Sequence, residues 1–262
     1  MSELRSRRDV LRLLAAGLLT STGLAAFAPR SAHAFGEEGR LRLALLQYPG
    51  DGWDLRARAL DALLLEVDQT TSIRVARRSE SVELLHGDLT AFPMIFVGGD
   101  RAFAPWSSEA RTRLRRYLQA GGMLIFDSSE GRVDGGFRQS VERELAAILP
   151  EKRLQRTASS HVLYKSFYLC RGDEGRTTTA DYTDGIQDEG RLQVLYIHND
   201  LLGAFARDTT GTDRLAVTGG ARRRDFAFRL GVNLVMYALS LDYKEDQVHV
   251  PFILRRRRWS VP

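Results

Sequence analysis

The 262-residue sequence has one cysteine, Cys170. An intrachain disulfide is therefore excluded, and stability must come from a buried core, which a chain of this length can build. Hydrophobic residues are 44% and charged residues 27%. This ordinary globular composition excludes wholesale disorder, collagen and a membrane bundle. The length fits one large α/β domain or two small ones. Long apolar runs are scarce. The stretch from Leu13 to Ala28 has 16 residues and is interrupted by Gly17, Thr20, Ser21, Thr22 and Gly23. A bilayer core needs about 20 strongly apolar residues, so a permanent anchor is the lesser reading.

An excess of one charge is also missing. The formal net charge is +5. Five arginines against Glu3 and Asp9 put +3 of it in residues 1–34, leaving +2 beyond them. Arg255, Arg256, Arg257 and Arg258 supply four positive charges near the end, so the body between carries −2. No whole-surface field of the kind nucleic-acid binding needs is present, and no nucleic-acid partner is expected. The common metal and phosphate motifs are absent too. There is no H-E-x-x-H, no C-x-x-C, no G-x-G-x-x-G and no G-x-x-x-x-G-K-[ST]. No cofactor is expected.

What is there begins with an export signal. Arg5, Arg7, Arg8 and Arg12 precede the apolar stretch, and Ala32-His33-Ala34 is an A-x-A site that places cleavage after Ala34. Ser6-Arg7-Arg8-Asp9-Val10-Leu11-Arg12 resembles the twin-arginine consensus, with Val for the usual Phe and Arg for the usual Lys. That resemblance implies delivery by the twin-arginine translocase, in folded form, to the periplasm or another extracytoplasmic space. A general secretory signal with a fortuitous arginine pair is the alternative. The expected organisation is a signal at 1–34, one α/β domain at 35–254 and a basic tail at 255–262.

The body alternates strands and helices. Strands are expected at Leu41–Gln47, Ile73–Ala76, Pro93–Val97, Met123–Phe126 and Leu192–Ile197, with a last edge strand at Val248–Leu254. Helices are expected over Asp54–Thr70, after a Ser107 or Ser108 cap, through Phe137, Val141, Leu145 and Ile148, and over Asp225–Leu239. Residues 171–190 read as a long polar loop. The alternation implies parallel pairing with right-handed crossovers.

In such sheets ligands bind beyond the carboxyl ends of the strands. Those ends carry Asp51 and Trp53, Gly98 and Gly99, Asp127 and Ser128, and His198 with Asp200. These are the candidate ligand-binding residues, although turn chemistry selects the same residue types. Ser128 or Ser129 with His161 or His198, and Asp200, would form an acyl-transfer site. His161, His198 and Asp127 or Asp200 would be the ligands of a metal-dependent hydrolase; no metal site is assigned. Gly219-Gly220 before Arg222, Arg223 and Arg224 can hold an anion at a helix start. Arg255 to Arg258 with Trp259 are candidates for peripheral membrane contact.

Several runs together resemble a known family. They are Tyr48-Pro49-Gly50-Asp51-Gly52-Trp53, Phe96-Val97-Gly98-Gly99, Gly121-Gly122-Met123-Leu124-Ile125-Phe126-Asp127, His161-Val162-Leu163-Tyr164, Asn199-Asp200-Leu201 and Gly231-Val232-Asn233. In this order and spacing they resemble the domain-of-unknown-function family numbered 4159, over roughly residues 40–240. The resemblance implies a three-layer α/β sandwich with a mostly parallel, flavodoxin-like sheet similar to class I glutamine amidotransferases. It implies envelope-associated bacterial proteins of unassigned biochemistry and lends no established catalytic residue. Amidotransferases carry a cysteine on a tight elbow after the strand corresponding to Met123–Phe126. Here Ser128 stands nearest, flanked two residues away by Phe126 and Glu130, and a strained elbow needs small residues there. The expected function is non-catalytic binding of a small ligand or an envelope protein. A serine- or metal-dependent hydrolase is the rival.

Overall fold

The structure, a computed structural model, describes residues 39–247. The signal at 1–34, the edge strand at 248–254 and the tail at 255–262 lie outside the described residues. The elements are β1 (Ala44–Gln47), α1 (Ala59–Thr70), β2 (Glu80–Glu83), β3 (Met94–Gly99), α2 (Ser108–Gln119), β4 (Met123–Ser128) and α3 (Gly136–Ile148). Then come β5 (Gln155–Arg156), β6 (Asp184–Asp188), β7 (Arg191–Ile197), α4 (Leu201–Phe205) and α5 (Gly220–Gln247). One seven-stranded sheet runs in the order β2-β1-β3-β4-β7-β6-β5. β2, β1, β3, β4 and β7 are parallel, and β6 and β5 add an antiparallel edge.

β3 and β4 are fully buried because helices cover both faces. Their side chains alternate. Met94, Phe96, Met123 and Ile125 join the core under α1, α4 and α5. Ile95, Val97, Leu124 and Phe126 join the core under α2 and α3. Continuous apolar runs are what such two-sided burial selects. α2 starts where Ser107 Oγ accepts from Ala110 N at 3.1 Å. It buries Ala110, Leu114, Tyr117 and Leu118, as the spacing predicts. It stops at Gly121, whose φ of +103° favours glycine. α3 buries Phe137, Val141, Leu145 and Ile148.

Four expectations need correction. The helix expected from Asp54 begins at Ala59. Over the preceding residues the bonds span three positions, Ala57 N to Asp54 O and Ala59 N to Arg56 O, so this segment is a chain of turns. The strand expected at Ile73–Ala76 is only an isolated bridge between Val75 and Leu41, and β1 starts at Ala44. The loop at 171–190 contains β6, which turns through Glu189 and Gly190 into β7. Both turn residues have positive φ, 46° and 82°. That matches the twist of a two-residue hairpin. The helix expected at Asp225–Leu239 runs from Gly220 to Gln247. Among the described residues no helix is long and apolar enough to cross a membrane.

Candidate functional site

β1 pairs with β2 on one side and β3 on the other, so the chain reverses its winding there. The parallel strands bring the turns after β1, β3, β4 and β7 to one end of the sheet. Gly98 and Gly99 close β3. A Cβ on Gly99 would stand 2.2 Å from the Phe137 ring, and Tyr48 Oη donates to Gly98 O at 2.8 Å. These glycines admit side-chain packing rather than an open ligand. Trp53 is half-buried against the α2–α3 core, and Asp51 is exposed on the same loop.

Asp127, next to last in β4, lies on the opposite face and is 1% exposed. Its Oδ1 accepts from Leu201 N at 2.7 Å and its Oδ2 from Leu202 N at 2.8 Å, so it caps α4 from the strand beside β7. Burial first, and the Asp200 charge second, push its carboxyl up to about 7; the N–H groups of Leu202 and Leu201 act the other way. Asp200 is the N-cap of α4, in a left-handed conformation with φ 51° and ψ 63°. It accepts from Gly203 N at 2.9 Å and from Arg56 Nη2 at 3.0 Å, and it pairs with Arg176. Arg56 comes from the loop after β1 and Arg176 from the loop before β6. Asp200 therefore joins three strand-end segments.

The serines lack a base. Ser128 is fully buried, and its Oγ accepts only a long bond from Glu130 N, 3.4 Å. Burial raises the Tyr196 phenol; the Ser128 hydroxyl beside it acts the other way, but the two make no well-formed hydrogen bond. Ser129 directs both its N–H and its hydroxyl to Gly99 O. Glu130 accepts from Gly136 N at 2.8 Å and Phe137 N at 3.1 Å, capping α3. Neither serine has positive φ, so the strained turn of a nucleophile elbow is absent.

His198 is fully buried, with its ring against Tyr182 and Tyr196. Its Nε2 lies 2.9 Å from Asp184 Oδ2, and Arg138 pairs with the same carboxylate. Burial opposes ionising Asp184, but the bonds from His198 and Arg138 outweigh it and hold the carboxyl below its usual range. The Nδ1 of His198 has no hydrogen-bond partner. His161 belongs to the other face. Its Nδ1 accepts from Leu163 N at 3.2 Å, its ring packs on Tyr237 of α5, and burial lowers its pKa. No hydrogen bond joins either histidine to Ser128 or Ser129. Among the described residues no three His, Cys, Asp or Glu side chains gather as a metal-ligand set. Cys170 is pushed up to about 12, by burial first and then by Glu174, so its thiol is unreactive at neutral pH.

A family model for a domain of unknown function, DUF4159, matches residues 42–239. The chain belongs to that family. No curated protein matches the sequence. Within the DUF4159 domain an open feature at this end of the sheet, among the described residues, is a cleft of about 320 Å3, lined by Val133, Asp173, Thr179, Asp181, Tyr182 and Arg223 among others. Of these residues only Arg223 stood among the sequence candidates, as part of the anion site considered at the start of α5. For Asp173, Thr179, Asp181 and Tyr182 the only signal was the Gly-, Asp- and Thr-rich composition of residues 171–190. Asn199 shapes the cleft: its Nδ2 donates to Asp173 O and Ala180 O at 2.8 Å, and its Oδ1 accepts from Ala180 N at 3.0 Å. Arg223 grips the same loop through the carbonyls of Asp173, Gly175 and Thr177. Arg224 binds the carbonyls of Ala204 and Leu215. Two of the three arginines that could have held an anion thus hold backbone.

Proposed function

We propose that this DUF4159 domain is an exported, extracytoplasmic binding protein without hydrolytic chemistry, built on a flavodoxin-like, class I glutamine amidotransferase-like scaffold. The strand order β2-β1-β3-β4 supports the scaffold, because it follows the 2-1-3-4 doubly wound order. One observation carries the binding reading: the strand-end groups that could do chemistry are engaged internally. Asp127, Glu130 and Asp200 cap helices, Asn199 fixes a loop, His198 holds Asp184, and no imidazole reaches a serine. What they leave open is the cleft between Val133, Tyr182 and Arg223, whose threonine hydroxyls and aspartate carboxylates are suited to a small polar ligand or a partner's loop.

A hydrolase needs a base within about 3 Å of its nucleophile, or one water away. A fluorophosphonate probe is therefore expected to leave Ser128 and Ser129 unlabelled in the folded chain. Covalent labelling of either serine, lost in His198→Ala, would establish the hydrolase instead. For export, the double change Arg7→Lys and Arg8→Lys is expected to retain the chain in the cytoplasm, measured by cell fractionation. Undiminished export of that variant would remove the twin-arginine route.

A further inference from the structure

A feature that the cleft does not explain lies in the segment 162–171, which is bonded to Asn233 of α5. Leu169 is 80% exposed, Val162 46% and Phe167 45%, all in one short segment. This segment is not loose. The fully buried Asn233 accepts from Phe167 N at 3.1 Å and Tyr168 N at 2.7 Å, and donates to Tyr168 O at 2.8 Å. The buried Glu174 accepts from Arg171 N at 2.6 Å and Gly172 N at 2.7 Å. Two buried polar side chains thus fix a turn that holds aliphatic and aromatic groups out in water. Burying such polar groups is costly unless they are bonded, and here their bonds serve an exposed apolar tip.

The tip continues into a strip of alternating rings and guanidinium groups. Phe167 meets Tyr168 edge-on at 4.8 Å. Arg229 stands 5.5 Å from the Tyr168 ring and 5.0 Å from Phe226, and Arg222 stands 5.8 Å from Phe226. Lys165 and Arg171 flank the tip and are exposed. Asp225, paired with Arg229 at 2.8 Å, is the one acidic side chain in these contacts. We infer that the segment 162–171 with the Arg222–Arg229 face of α5 is a docking surface for an anionic lipid bilayer, into which Phe167 and Leu169 insert while Lys165, Arg171 and Arg222 meet the headgroups. The charge excess matches a negative leaflet, and aromatic and leucine side chains beside basic ones suit its interface. A single-stranded nucleic acid fits less well. The arginines lie over the Tyr168 and Phe226 rings that bases would stack on, and Leu169 offers a base nothing.

The test is flotation of the full chain with vesicles of phosphatidylcholine, with and without an anionic phospholipid, at low salt. Leu169→Glu combined with Phe167→Ser is expected to lower partitioning onto anionic vesicles about tenfold or more. Arg222→Glu is expected to lower it several-fold. Leu65→Glu, at another exposed leucine off the strip, is expected to leave it unchanged. Residues 1–34 and 255–262 are identical in all chains, so their own affinity cancels. Circular dichroism melts matching the wild type show that these surface variants fold. Equal flotation of wild type and loop variant overturns the inference, as does equal binding to neutral vesicles. A wild-type oligomer in solution that Leu169→Glu turns into monomer also overturns it, because the strip would then be a contact between copies of the chain.

Discussion

Asp127→Asn is expected to remove the part of the pH dependence that Asp127 contributes, a loss of stability as pH rises towards about 7. In the folded chain burial and the Asp200 charge push the Asp127 carboxyl up to about 7, against a usual value of 3.8. Between those values the folded state holds a proton that the unfolded state releases. Unfolding free energy therefore falls as pH rises. The contribution of Asp127 is full below the unfolded value and gone above about pH 7, and a gap of this size corresponds to a few kcal/mol. Arg56, Arg176, Asp200 and Tyr196 are the charged and titratable groups that face this carboxyl pair, and the asparagine substitution would leave them in place.

Burial shifts two other groups as well. Burial raises Glu174, which acts in the same direction as Asp127. Burial lowers His161, whose neutral form is favoured in the fold, so its contribution grows as pH rises towards its unfolded value. Only the difference between variant and wild type isolates Asp127. Asparagine keeps one oxygen for Leu201 N or Leu202 N and turns its NH2 toward the other, at a cost of about 1–3 kcal/mol for the unsatisfied donor. The variant is therefore less stable than wild type at pH 5, and the deficit shrinks by pH 8. Urea unfolding at pH 5, 6, 7 and 8 measures this. Stability curves that run parallel across the range would mean that Asp127 stays ionised throughout.

The sequence located this carboxylate at a strand end but not its work. β3 and β4 were legible because burial on both faces writes a continuous apolar run. α2 and α3 were legible because one buried face writes the helical period, with Ser107 marking a start and Gly121 a stop. β6 was hidden: it is a short edge-side strand, Asp184-Gly185-Ile186-Gln187-Asp188, with one large apolar residue. The start of α1 was misplaced because Arg56 is drawn across to Asp200, 144 positions away. The same distance in sequence hid the roles at the site. Asp127 meets its partners 74 and 75 positions later, and His198 meets Arg138 60 positions earlier. No local pattern distinguishes Arg56, Arg138 or Arg176 from the many solvated arginines of the chain. Strand-end chemistry was visible as composition, and only the fold shows that it is used for capping and bracing.

The largest loss of stability from a single change at this end of the sheet is expected for Asp200→Ala. Alanine removes the acceptor for Gly203 N, which is worth about 1 kcal/mol at a helix start. It also puts a non-glycine residue without a polar side chain into the left-handed conformation that Asp200 adopts, at about 1–2 kcal/mol. Arg56 and Arg176 lose the carboxylate between them. Breaking a buried ion pair costs about 3–5 kcal/mol, and the lower end applies here because both arginine side chains keep access to water, 19% and 26% exposed. Asp200→Asn separates these effects. It tolerates the left-handed backbone and keeps one capping oxygen, so only the charge is lost, and the deficit is expected to be roughly half that of alanine. It also removes the like charge beside Asp127, which lowers that carboxyl toward its ordinary value and makes the pH dependence shallower. Asp127→Asn should then change the slope less in the Asp200→Asn background than alone, a coupling that a double-mutant cycle reads directly. Because Asp200 O and Asn199 O also accept from Arg176 N and Thr177 N, loosening this corner frees the loop that walls the cleft. Proteolysis of native protein within residues 173–182 should accelerate in Asp200→Ala before global unfolding does. A variant as stable and as resistant as wild type would mean that the two arginines find other partners and that the corner is not the brace of the cleft.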